Sequence, residues 1–170
     1  MKGKVIINNQ EIEIEINEEQ LEQLKIKKKT GYERSTGWNV RYYYEQSSTD
    51  TGRQCAIEQH STIDNRRYDG GDYYNNSDLA LNNIRADRLM RQLRRFAVEN
   101  RKKELDWKDT YLDKWKIEYD HSAERFSVWK NEFIQSAFTI YFDSQETATA
   151  AIEKFKDELI WYFTEYKDSL

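Results

Sequence analysis

A chain of 170 residues has room for one ordinary domain or for two small units sharing a core. Charged residues make up 34% and hydrophobic ones only 38%, yet an aromatic share of 14% argues against a disordered chain, because such chains lack the aromatics that build a core. Net charge is −4 with the two signs in blocks, which permits one basic and one acidic face and does not indicate general DNA binding.

Residues 4–7 and 11–16 read as a hairpin around Asn8-Asn9-Gln10. Ile12, Ile14 and Ile16 alternate with Glu11, Glu13 and Glu15, which predicts one buried and one acidic face. Asn17 to Gln20 resembles a capping box, and a short helix carrying Leu21 and Leu24 follows. This ββα piece, residues 1–29, is too small to be stable alone. Residues 30–37 read as a linker.

A first unit, residues 38–103, starts with a strand placing Trp38, Val40, Tyr42 and Tyr44 inward and Tyr43 outward. A second strand, 53–59, buries Cys55 and Ile57; residues 60–72 read as a loop, and Tyr73-Tyr74 as a short third strand. Ser77 or Asn76 caps a helix over 78–100, whose Leu79, Ala86, Leu89, Met90, Leu93, Phe96 and Ala97 share one face. A second unit, residues 104–170, repeats the pattern. Its strands are 115–120 with Trp115, Ile117 and Tyr119 inward, 125–130 with Trp129 outward, and 137–142 with Phe138, Ile140 and Phe142 inward and Tyr141 outward. Ser144 caps a last helix with an apolar stripe from Ala148 to Tyr166. Trp38 matches Trp115 and Ile84 matches Ile152 in this internal repeat. The expected fold is α+β: two β-β-β-α units with antiparallel sheets, each covered by a helix, after a small ββα N-terminal piece.

No constellation names a reaction. His60, His121 and Cys55 are too scattered for a zinc site, and Gly70-Gly71 has no phosphate-loop context, so no metal, cofactor or catalytic set is expected. A single cysteine rules out an internal disulfide, no apolar run approaches a membrane span, and the start lacks a signal-peptide core, so the expected location is the cytoplasm. Three surfaces are candidates for binding. Glu11, Glu13 and Glu15 form an acidic strand face that could imitate phosphates or could simply protect a sheet edge. Tyr43, Trp129 and Tyr141 are aromatics on the outer sheet face, which could anchor a protein interface or could be buried against the other repeat. Arg88, Arg91 and Arg95 gather on the first long helix, where they could grip nucleic acid or pair with the acidic C-terminal segment.

The run Ile63-Asp-Asn-Arg-Arg-Tyr68-Asp-Gly-Gly-Asp-Tyr73-Tyr74, the helix end Leu93-Arg-Arg-Phe96-Ala97, then Asp106-Trp107 and Trp115 to Asp120, resemble small accessory proteins of Gram-positive phages and prophages. The likeness spans residues 38–165 and departs at Leu79–Arg95, where Arg and Asn stand in place of a Glu-rich face. It implies a host-directed or regulatory role in the bacterial cytoplasm. Some proteins of this size and charge pattern are anti-CRISPR proteins, which block an RNA-guided nuclease. The expectation is a non-enzymatic interaction protein that inhibits a host defence factor, an RNA-guided CRISPR nuclease first, by covering its nucleic-acid-binding surface. The alternative is a nucleic-acid-binding regulator using the arginine helix.

Overall fold

The computed structural model describes residues 2–7, 10–17, 19–20, 29–46, 51–131 and 133–168. Among the described residues it is an α+β fold built on three antiparallel two-stranded sheets. Strands β1 (Lys2–Ile7) and β2 (Gln10–Glu15) form the N-terminal hairpin, with Val5 opposite Ile12 and Lys4 opposite Glu13. Ile14 and Ile16 are half-buried and Ile12 is exposed, so the expected buried isoleucine face is only partly formed. The Leu21 and Leu24 helix lies outside the described residues.

The first unit pairs β3 (Arg41–Glu45) with β4 (Arg53–Ile57), placing Tyr43 opposite Cys55. The expected third strand is one residue long: Tyr74 exchanges both backbone hydrogen bonds with Tyr43, at 2.8 and 2.9 Å. Helix α1 (Thr62–Asp69) occupies what reads in sequence as a loop. It lacks an apolar stripe, and a reciprocal cap starts it, Ser61 accepting from the Asp64 N–H and Asp64 from the Ser61 N–H. Helix α2 (Ser77–Glu99) begins at Asn76, whose side chain accepts from the N–H groups of Asp78 and Leu79.

The second unit repeats the arrangement. β5 (Lys114–Asp120) pairs with β6 (Arg125–Asn131), and Phe142 exchanges backbone hydrogen bonds with Trp115 at 2.8 and 2.9 Å. In both units the bridging residue stands two positions before a helix cap, Asn76 or Ser144. The bridges therefore align Tyr43, not Trp38, with Trp115. The expected single last helix is two: α3 (Gln145–Lys154) and α4 (Lys156–Thr164), broken at Phe155, which leaves helical geometry and lays its ring edge-on against Phe96.

Helix α2 serves both units. Its first half contributes Leu79, Ala80 and Ile84 to a buried cluster with Tyr74, against which Tyr43 packs. Its second half contributes Leu89, Leu93, Phe96 and Ala97 to a larger core with Phe142, Ala148, Ala151, Ile152 and Leu159, flanked by Trp115, Ile117, Phe126 and Val128 of the second sheet. The 3.6-residue periodicity over 23 residues thus buries one continuous stripe in two places.

Leu93→Ala should cost about 2–5 kcal/mol, because it opens a cavity in the larger core. A urea midpoint that shifts by much less than this, with unchanged slope, would contradict the packing.

Candidate functional site

The densest polar constellation lies in the first unit. Tyr42 is fully buried, stacked on Tyr73 with ring centroids 4.2 Å apart. Its hydroxyl donates to Asp64 Oδ1 at 2.6 Å and accepts from Arg67 Nη1 at 2.6 Å. Asp64 Oδ2 accepts from the Gln59 and Ser61 N–H groups and from Ser61 Oγ, at 3.1, 2.9 and 2.8 Å. Nearby, buried Glu58 is forked by Arg34 at 3.1 and 3.2 Å, accepts from the His60 N–H at 2.7 Å, and has the His60 ring nitrogen at 3.4 Å.

Burial alone would raise both carboxyls. For Glu58 the Arg34 fork, the His60 N–H and the Tyr73 hydroxyl outweigh it and hold the group below its ordinary value. For Asp64 the Tyr42 hydroxyl and the Ser61 and Gln59 donors outweigh it and hold the carboxyl well below the usual range. Burial, helped by the bond to Asp64, pushes Tyr42 up to about 12. No nucleophile here faces a free base, because Ser61 Oγ is committed to the helix cap. The constellation ties the 30–36 segment, β3 and α1 together. Among the described residues no three His, Cys, Asp or Glu side chains gather as a metal would require.

The residues expected to bind partners do not share one face. Glu11, Glu13 and Glu15 are exposed on β2, but Lys4 stands opposite Glu13 and its ammonium lies 2.7 Å from Glu11, so part of that charge is neutralised. Tyr43 is not outward: it packs on the α2 cluster, with the Arg53 guanidinium 5.5 Å from its ring centre. The hairpin is covered on both faces, Tyr42 meeting Tyr73 and Asp64 on one, Tyr43 meeting α2 on the other. Tyr141 is buried rather than exposed. Its ring sits edge-on to Trp107 at 4.8 Å, and its hydroxyl accepts from the Ser136 N–H and donates to the Ile134 carbonyl. Trp129 is outward, 56% exposed, its indole N–H donating to Ser127 Oγ.

Several burial expectations also reverse. Trp38 is 67% exposed, because the chain turns at Asn39, whose φ is 63°, before β3 begins. Cys55 and Ile57 are exposed on β4, the outer strand of its sheet. Phe138, expected inside, is 95% exposed. Its φ of 61° puts a bulky residue in the left-handed region, so residues 137–141 do not extend as a strand. With Phe133 and Ile134, also exposed, it makes the 133–138 segment an apolar stretch in water, next in sequence to Trp129 and β6. Phe138 lines an apolar pocket of about 230 Å³ together with Met90, Ile117, Ile140, Tyr162 and Phe163. The alternation Phe138, Ile140, Phe142 reads as a strand, so the sequence carries no sign of this exposure.

On α2, Arg91 is held by Glu45 at 2.5 Å and Arg85 by a fork to Glu158 at 2.8 and 3.0 Å, while Arg88 and Arg95 are exposed. No helix among the described residues is long and apolar enough to cross a membrane. The fold and surface define an α+β protein of paired β-β-α units with an exposed aromatic segment. No protein-family model, no curated protein and no solved structure matches the chain.

Because Asp64 and Glu58 are held below their unfolded values, the stability they supply is complete above the unfolded carboxylate range near pH ~4 and is lost as pH falls through and below it. Urea midpoints should drop steeply on acidification from neutral pH towards pH ~3. Asp64→Asn should be less stable at neutral pH and show a shallower acid decline. An acid decline identical to that of the parent chain would exclude Asp64 from the linkage.

Proposed function

We propose that the chain acts by binding another protein and that its contact surface is the 129–138 segment. The observation that supports this is Phe138, an almost fully exposed aromatic held out by a left-handed backbone. Exposed apolar stretches and backbone outliers both mark functional surfaces, and aromatics supply most interface hot spots. Trp129, Phe133 and Ile134 extend the contact, with the pocket that Phe138 helps to line available to a partner side chain.

The resemblance to phage accessory proteins narrows the partner to a host defence factor, and an RNA-guided nuclease is the partner this reading names first. Inhibition would follow from occlusion, with the exposed carboxylates of Glu13 and Glu15 as secondary contacts on a basic surface. Nucleic-acid binding through Arg88, Arg91 and Arg95 has less support, because Glu45 already engages Arg91.

Phe138→Ala should leave stability within ~0.5 kcal/mol, since the ring is in solvent. It should weaken the partner complex by about thirtyfold, as loss of a hot spot does. Target cleavage by RNA-guided nucleases, measured with the parent chain and the variant, checks both levels. Suppression by the parent and not by the variant is expected. Unchanged cleavage across several nuclease subtypes contradicts the narrower reading, and a partner complex indifferent to Phe138→Ala contradicts the broader one.

A further inference from the structure

A second surface, independent of the aromatic segment, lies where the two units meet along α2. A cleft of about 550 Å³ is lined by Thr51 just before β4, by Leu81, Asn82, Arg85, Arg88, Leu89 and Gln92 of α2, and by Glu158 of α4. Five of its six polar side chains can donate hydrogen bonds, and the single carboxylate is already taken by Arg85. Arg85 is further fixed by stacking, its guanidinium 3.9 Å from the Trp161 ring centre.

Arg88 differs from its neighbours. It makes no ion pair and no hydrogen bond among the described residues, so its fork is open. It passes over buried Gly52, whose φ of 73° is what calls for glycine there: a Cβ would lie 2.5 Å from Arg88 Nη2 and 3.0 Å from Ile84. Arg88 also acts on Glu158, whose carboxyl is held low first by Arg85 and also by the charge of Arg88. Two arginines thus face one carboxylate, and only one of them is bonded to it.

We propose that this cleft is a recognition site for a carboxylate side chain of an acidic protein segment, with Arg88 as the open fork and Glu158 as a built-in occupant that the incoming group displaces from Arg85. The carboxylate is favoured over a phosphate because the group already seated in the cleft is a carboxylate in two-point contact, the geometry a guanidinium matches.

The test is a titration of the full chain at low salt with an acetylated, amidated tetraglutamate peptide, followed through the arginine side-chain N–H signals. Saturable shifts at Arg88 and Arg85 are expected. Arg88→Gln, an exposed position that does not threaten folding, should weaken binding by about tenfold or more, the value of a lost charge-assisted hydrogen bond. Glu158→Gln should tighten it by about threefold or more, since the competing carboxylate is gone. Phe138→Ala should leave it unchanged, which separates this site from the aromatic surface. No saturable shift, peptide binding indifferent to Arg88→Gln, or no gain with Glu158→Gln would overturn the proposal. So would inorganic phosphate or a labelled oligonucleotide saturating the same signals more tightly than the peptide, which would make the cleft a phosphate site.

Discussion

One helix cannot be removed from this molecule without dismantling two cores. Over 23 residues, about 34 Å at 1.5 Å per residue, α2 lays Leu79, Ala80 and Ile84 against the Tyr43–Tyr74 cluster and Leu89, Leu93, Phe96 and Ala97 against α3, α4 and the second sheet. Neither two-stranded sheet is stable by itself, because a lone hairpin buries too little apolar surface. The first closes directly over α2, and the second closes over α3, which packs in turn on α2. A polar surface and a low hydrophobic share are tolerable for this reason: the buried stripe of a single helix is used twice.

Polar contacts then fix what the apolar packing brings together. The residue before each cap does the same job in both units with opposite chemistry. Asn75 donates to the Glu33 carbonyl and carboxylate, pinning the segment before β3, while Asp143 accepts from the N–H groups of Lys102 and Lys103, pinning the segment before β5. Asn83, buried on α2, joins the 30–36 segment to the segment after α4: it donates to the Tyr32 hydroxyl and accepts from that of Tyr166. The scaffold is thereby closed, and the surfaces that remain open, the 129–138 segment and the cleft beside Arg88, belong to the parts in which the two units differ.

What the chain spells out in its sequence depends on the length of each signal. The α2 helix was legible because seven apolar residues recur at the helical period between good caps, and β5 and β6 because their alternation runs over several residues. Helix α1 was not, because Thr62–Asp69 has no apolar stripe and its start is signalled only by Ser61 and Asp64, one turn of cap chemistry. The third strands were read as strands from alternation that the backbone does not use, each shrinking to one bridging residue. Of the candidate site, the exposure of Trp129 followed from β6 alternation. Phe138 had the same alternating pattern and the opposite fate, because a left-handed backbone angle leaves no mark in a hydrophobicity pattern. Tyr43 failed as a surface residue because the β3–β4 hairpin is packed on both faces, and Tyr141 because Trp107 and the 134–136 backbone cover it; both are tertiary facts.

The dependence of both units on α2 is most directly tested by native-state hydrogen exchange on the full chain. The bridge amide of Tyr43 reports the first core and the bridge amide of Trp115 the second. If α2 binds the cores into one cooperative body, both should exchange through the same opening, with equal free energies that fall in parallel as urea is raised. Exchange of one amide through its own opening, at a free energy well below the other and with a smaller urea dependence, would show two independently stable units and contradict the account.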